Sequence, residues 1–163
     1  MTTFRPMRRA DRALHSEEAK KLLVLAKWGT LSLAPDENGY PYGVMLNCAY
    51  IDGALYFHCA KAGAKIDIIK ADDRVCFTAM ISYTEDAPDY TAHFESVTCF
   101  GRVEFVPENE TVEVLASFCA SVFELPKEPM MAKCTQGAPR VQMLKMHIDH
   151  MTGKRSGPVN SLQ

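Results

Sequence analysis

The stretch Gly39-Tyr40-Pro41-Tyr42-Gly43-Val44-Met45-Leu46-Asn47-Cys48-Ala49-Tyr50-Ile51-Asp52-Gly53-Ala54-Leu55-Tyr56-Phe57-His58-Cys59-Ala60-Lys61-Ala62-Gly63-Ala64-Lys65-Ile66-Asp67-Ile68-Ile69-Lys70 decides how the chain folds. Two apolar-rich runs flank Asp52-Gly53, a turn pair that takes positive φ and matches the twist of a β-hairpin. The spacing predicts strands over 43–51 and 54–59. Alternation puts Leu55, Phe57 and Cys59 on one face and Tyr56 and His58 on the other. The second strand leads into a small-residue turn carrying Lys61, Gly63 and Lys65, and then into a short helical pattern over 64–71.

Upstream, Ser16 with Glu17 and Glu18 reads as a helix start. Ala19, Leu22, Leu23 and Ala26 recur at helical spacing, predicting a helix over 17–27 with Gly29 just past its end. Thr30–Ala34 reads as a strand, and Asn38-Gly39 as the tight part of a turn. Downstream, 74–81 is a nearly continuous apolar run, the pattern of a buried strand. Ser82–Asp89 reads as an exposed loop. A long strand follows over 90–106, with Val97, Cys99, Gly101, Val103 and Phe105 on one face. Gly101 in mid-strand predicts a bulge or a close approach by another group. Pro107-Glu108 opens a helix striped by Val112, Leu115, Phe118, Cys119 and Val122. Leu125–Arg140 reads as loop with a short helical turn, and 141–150 as the last strand. Strands are mostly consecutive, without the spacing of βαβ units. The expected architecture is mainly β (α+β): an antiparallel barrel of about six strands with peripheral helices. All 163 residues form one domain, with 1–15 an N-terminal arm and 156–163 a flexible tail.

A formal net charge of −2 argues against general nucleic-acid binding. No apolar run reaches the ~20 residues of a bilayer span, and the start lacks the apolar core of a signal peptide. A cytoplasmic location is expected, with no membrane partner. The six cysteines form no Cys-x-x-Cys pair and read as buried free thiols.

Three constellations bear on chemistry. Lys61, Lys65 and Lys70 surround a strand-to-helix junction. They read either as a phosphate site or as a solvated helix face, and spacing alone favours the latter. No Walker or Gly-x-Gly-x-x-Gly motif is present. His58 stands just ahead of the lysine turn, where a structural role is the commoner reading. His147 and His150 are three apart in a strand and are expected on opposite faces, which makes a poor metal site. Ser96 follows Glu95 but lies in no nucleophile elbow.

The segments 39–47 and 56–67 resemble the flavin-binding split-barrel superfamily, and more narrowly the nitroimidazole-resistance (Nim) branch of the pyridoxamine 5′-phosphate oxidase-like proteins. Met7-Arg8-Arg9 with Asp11-Arg12, the strand from Phe94 to Gly101, and His150-Met151-Thr152-Gly153-Lys154 resemble further parts of that branch. The resemblance implies a six-stranded split barrel, a homodimer, and FMN in clefts between subunits. It implies that Val44, Met45, Leu46 and Asn47 line the isoalloxazine, partly through backbone groups. His58 and Cys59 would follow the ribityl chain or ring edge. Gly63, Ala64 and Lys65 would meet the phosphate with Lys61 nearby, and Ser96 and Val97 would approach the ring. His58 is the candidate catalytic group, as an acid or an orienting residue; no dedicated base is evident. The implied activity is reduction of small aromatic or nitro compounds with electrons from a reduced nicotinamide. A non-catalytic flavin- or haem-binding protein of sensing or storage duty is the alternative. Departures are Glu95 where the branch often has arginine, Ala64 where the oxidases proper have arginine, and Met45 where many Nim proteins have proline. The arginine and histidine with which those oxidases hold pyridoxamine phosphate have no evident counterpart.

Overall fold

The computed structural model describes residues 3–162; Met1, Thr2 and Gln163, the outermost parts of the expected arm and tail, lie outside the described residues. Helix α1 spans Ser16–Leu25, followed by β1 (Trp28–Pro35), β2 (Pro41–Asn47), β3 (Ala49–Ile51), β4 (Ala54–Ala60) and α2 (Ala64–Ala71). Then come β5 (Arg74–Asp86), β6 (Thr91–Phe105), α3 (Thr111–Phe123), α4 (Met131–Gly137) and β7 (Val141–Ser156).

All seven strands belong to one antiparallel sheet, in the order β2-β1-β5-β6-β7-β4-β3. The two ends of that order, β2 and β3, are neighbours in the chain. They are the two halves of the strand expected over 43–51, divided at Cys48. The first half pairs with β1 and the second with β4, so the covalent chain itself closes the barrel. The expected six strands thus become seven by one division. The Cys48 amide donates to the Lys27 carbonyl at 3.0 Å, and the Asn47 side-chain amide donates to the same oxygen at 3.2 Å. Those bonds satisfy backbone groups that a ladder would otherwise take.

Alternation fills the barrel. Leu31, Phe57, Phe77, Val97, Cys99, Leu144 and Met146 point inward with Leu22 and Leu23 of α1 and Ile68 and Ile69 of α2. A second cluster lies outside the barrel, where Leu115, Ala116 and Phe118 of α3 and Cys134 of α4 cover Ala49, Met143 and Tyr56. A glycine is required at 101: a Cβ there would stand 1.9 Å from the His147 carbonyl oxygen, and the β6–β7 register shifts at this point.

Several boundaries differ from expectation. Gly29 lies inside β1 rather than past α1, because Phe77 packs on its Cα and leaves a Cβ only 2.5 Å away. Strand β5 runs on to Asp86 through polar residues, since β6 offers partners as far as Thr91. The short helical turn expected before β7 is α4, whose Cys134 reaches the second cluster. β7 extends to Ser156 along β6.

Asn160 and Ser161, beyond β7, are hydrogen-bonded to the barrel. Glu95, fully buried, accepts from Arg155 Nε at 2.8 Å, from the Ser161 amide at 2.8 Å and from Ser82 Oγ at 3.2 Å. Arg155 also reaches Glu18 of α1 at 3.3 Å and Asn160 at 3.1 Å. Burial works to raise the Glu95 pKa, but the bonds from Ser161, Arg155 and Ser82 outweigh it and hold the carboxyl below its usual value of 4.5. A carboxylate with a depressed folded-state pKa stabilises the fold above its unfolded value, and that contribution is lost as pH falls through the folded one. Arg155→Met strips a buried charge of its partner and should cost about 3–5 kcal/mol in urea unfolding. Glu95→Gln should flatten the loss of stability that the parent protein shows below pH 4.5.

Candidate functional site at the split of the barrel

β4 is paired on both edges only over Ala54–Tyr56; beyond that, β7 alone borders it. β2 is paired with β1 alone. The two strands approach within 8 Å between Cα atoms but share no ladder. Each therefore turns one unpaired edge to a slot between them, formed by Val44–Asn47 and Phe57–Ala60. Along an antiparallel strand, alternate residues direct N–H and C=O to each edge. Along these stretches the backbone groups directed away from β1 and β7 have no ladder partner.

The turn after β4 carries a second set of donors. Gly63 has φ +114°, and nothing lies within 4 Å of the place a Cβ would take. Its carbonyl accepts from the Ile66 and Asp67 amides and starts α2. The amides of Ala64 and Lys65 precede the first helical donor and stay available. Lys65 is half-buried and forms no ion pair among the described residues. Lys61 is paired with Glu108 at 2.6 Å. Lys70 stands in the last turn of α2, away from this mouth.

The other expected residues divide by face. Met45 and Asn47 are exposed on the outer surface of β2, whereas Val44 and Leu46 pack inward on the barrel core. Only backbone groups of the latter pair reach the slot. Cys59 is half-buried on the inner face. His58 lies on the outer face of β4, with its ring edge-on to Phe118 of α3 at 5.1 Å. Ser96 is half-buried on β6, and Val97 is fully buried in the barrel. The Val97 side chain therefore cannot line a cleft. The slot brings together β2, β4 and the lysine turn; Ser96 lies on β6, three strands from β2 and two from β4 in the same sheet.

Burial and the Lys65 charge together act on the titrating groups near the mouth. Partial burial and the Lys65 charge both lower the His58 pKa from 6.5, so the imidazole is neutral at pH 7. Burial raises the Cys59 pKa and outweighs the opposing Lys65 charge, which keeps a thiol rather than a nucleophilic thiolate.

Phe118 and Glu108 were not foreseen as neighbours of this turn. They come from a helix and its lead-in some fifty residues later, and no local pattern pairs them with His58 and Lys61. His147 and His150 do not lie on opposite faces. The extra residue in β7 between Ile148 and His150 turns both outward. Their partners differ: His147 meets Glu104 at 3.0 Å, while His150 stacks under Phe4 at 4.6 Å. Among the described residues no group of three His, Cys, Asp or Glu side chains is placed to hold a metal ion. No helix among them is long and apolar enough to cross a membrane.

Residues 15–155 match the family model described as pyridoxamine 5′-phosphate oxidase. The chain belongs to that family. No curated protein matches it. Among solved structures it is similar to a conserved hypothetical protein of Mycobacterium tuberculosis, with 20% identity, 97% of this chain and 98% of that one covered, and a TM-score of 0.76. It is also similar to a candidate 5-nitroimidazole antibiotic resistance protein of Bacteroides thetaiotaomicron, at 22% identity, 88% and 86% coverage and TM-score 0.69. A third is an FAD-binding protein of Mesorhizobium loti, at 22% identity, 90% and 98% coverage and TM-score 0.67. At these identities the likeness is one of fold. Membership of the pyridoxamine 5′-phosphate oxidase family bears out the split barrel implied by segments 39–47 and 56–67.

The coupling of His58 to Lys65 is open to direct measurement. By NMR titration the His58 ring should change charge below pH 6.5, and Lys65→Ala should move its midpoint up. The recovery should be partial, because burial is the larger cause.

Proposed function

We propose that this chain is a flavoprotein oxidoreductase that holds FMN in the slot between β2 and β4, with the phosphate at the turn 61–65. The observation that carries this reading is Lys65: a half-buried lysine without an ion-pair partner among the described residues, beside free helix-start amides. A half-buried ammonium is costly unless an anion meets it, and amides at a helix start favour the same charge. The donor set also suits a flavin ring, whose pyrimidine edge needs both donors and acceptors. The free edge at Val44–Asn47 supplies them without side chains. The family and the Mesorhizobium loti and Bacteroides thetaiotaomicron relatives support a flavin and an aromatic nitro substrate respectively.

In this reading the flavin supplies the electron chemistry, taking electrons from a reduced nicotinamide for a small aromatic or nitro acceptor. The chain binds, orients and shields. Backbone groups of Val44–Asn47 hold the ring edge, Gly63 leaves room for close approach, and Ala64 and Lys65 amides meet the phosphate. Neutral His58 is positioned to donate or accept a hydrogen bond beside the ribityl chain. Ser96 would approach from β6 with its hydroxyl, and Val97 with backbone alone.

A second copy of the chain would complete the cleft. Trp28, Met45 and Met80 are each more than half exposed on the outer faces of β1, β2 and β5. Large exposed apolar side chains on one sheet face suit an association surface. Homodimerisation over it would roof the ring side of the slot.

Titration with FMN tests the reading. The protein should bind FMN, turn yellow and quench flavin fluorescence. Lys65→Ala should weaken binding by about 1–3 kcal/mol, the loss of a charge-assisted hydrogen bond. Unchanged affinity would remove Lys65 from the site, and a chain that takes up no flavin would overturn the assignment.

A further inference from the structure

Strands β5 and β6 continue past the barrel as a two-stranded ribbon. β1 borders β5 only over 76–78, and β7 borders β6 only as far as Phe94. Beyond those points 84–86 and 91–93 pair with one another and with no other strand among the described residues. A ribbon with both edges free is marginally stable in water unless something packs on it. Support at its base is internal: His93 Nε2 meets Asp86 at 3.1 Å, and Gly157 lies against the same ring. At its tip Tyr90, with φ +48°, is 98% exposed, and Tyr83 is more than half exposed.

The ribbon is acidic. It carries Glu85, Asp86 and Asp89 and no lysine or arginine. Among the described residues Glu85 and Asp89 form no ion pair. The N-terminal arm has the opposite character. It runs along the outer face of β6 and β7, from Ala13, bridged to Lys154, to Phe4, which stacks on His150 at 4.6 Å and meets Phe100 at 5.4 Å. Phe4 and Met7 are half-buried against the sheet, whereas Arg5 and Arg8 are exposed. Neither arginine forms an ion pair among the described residues.

Within one chain the end of the arm and the ribbon are too far apart to pair. Phe4 lies at the level of Phe100, and the ribbon strand begins at Thr91. At about 3.3 Å per residue that span of β6 is roughly 30 Å. A two-fold axis through the middle of the span removes the separation, because it lays each ribbon on the arm of the other copy. Ser96 stands near that middle, and its cross-strand neighbour on β5 is Met80, 52% exposed. Beside them Thr30, Thr78, Thr98 and Thr152 stand in register across β1, β5, β6 and β7, a row of small side chains that lets a second sheet approach. An apolar side chain at the centre with opposite charges at the rim is the anatomy of a specific interface.

We propose that two copies of the chain clasp each other, the acidic β5–β6 ribbon of each docking on the basic N-terminal arm of the other, with Glu85 and Asp89 against Arg5 and Arg8. The inference rests on the homodimer proposed above and names the contacts that orient it. Tyr90 at the ribbon tip offers its ring to the same arginines.

The test is sedimentation of the full chain with charges reversed. The ribbon variant is Glu85→Lys with Asp89→Lys, and the arm variant is Arg5→Glu with Arg8→Glu. All four positions are exposed and outside the barrel core. The parent should be dimeric, with a dissociation constant that rises with salt. Each variant alone should dissociate about tenfold or more readily, because like charges then face each other at both ends of the interface. Mixing the two variants should restore a dimer with one copy of each, within about threefold of the parent's affinity. In that dimer a basic ribbon meets an acidic arm and an acidic ribbon meets a basic arm. The neutral ribbon variant, Glu85→Gln with Asp89→Asn, should dimerise with little dependence on salt. Variants that dimerise like the parent, a mixture as dissociated as its components, or a neutral variant as salt-sensitive as the parent would each overturn the clasp. A parent that binds FMN as a dimer indifferent to these changes would overturn the clasp alone, leaving the flavin slot and the homodimer standing. A parent that stays monomeric would overturn the clasp and the homodimer together, with the FMN titration still reading the slot.

Discussion

Closure of the barrel depends on one backbone bend. At Cys48 the chain leaves β1 and joins β4, and the Lys27 carbonyl holds both Cys48 and Asn47 at the turning point. Had the strand run straight, β2 would have continued the β4 ladder and left β1 as an exposed edge, a surface prone to unwanted pairing. The bend instead spends β2 on β1. It leaves β2 and β4 each with one free edge, facing one another across a slot. A barrel of this kind cannot be both closed and fully paired. The residual unpaired backbone is where a ligand with donors and acceptors on a flat edge is best received.

The charges follow a corresponding division. The cation placed deepest in the polar network, Arg155, is matched by the fully buried Glu95 and by Glu18 and Asn160, and its role is to join α1, β6, β7 and the C-terminal segment. Glu95 finds its charge partner, Arg155, on β7. Lys65 is the contrast: half-buried, without an ion-pair partner among the described residues, and adding to the burial that lowers the His58 pKa. A matched buried pair contributes to the specificity of the fold, whereas a half-buried ammonium without a carboxylate is left with only local solvation. The same reasoning separates Lys61, whose carboxylate partner is exposed and displaceable, from either extreme.

Much of this was legible locally. The hairpin at Asp52-Gly53, the inward faces of 55, 57 and 97–103, the close approach at Gly101, and the lysine turn opening α2 all follow from alternation and turn chemistry. Each depends on residues within a few positions of one another. The misplacements share a cause. Cys48 looks like any mid-strand residue, and only the competing claims of β1 and β4 divide the strand there. Gly29 looks like a helix stop, and only Phe77 makes it a strand glycine. His147 and His150 look opposed until the bulge in β7, which exists because β6 holds the strand in register on both sides, turns them the same way.

The sequence by itself determined the antiparallel, mainly β class, the order of its elements and the residues that compose the turn after β4, because these arise from periodicity and from the φ preferences of short motifs. Tertiary structure alone decided where the barrel splits, which residues of β2 offer side chains and which only backbone, and that Glu108 and α3 stand beside Lys61. Those outcomes depend on which strand edge finds a partner first and on charges brought together from positions far apart in the chain, and no local pattern encodes either.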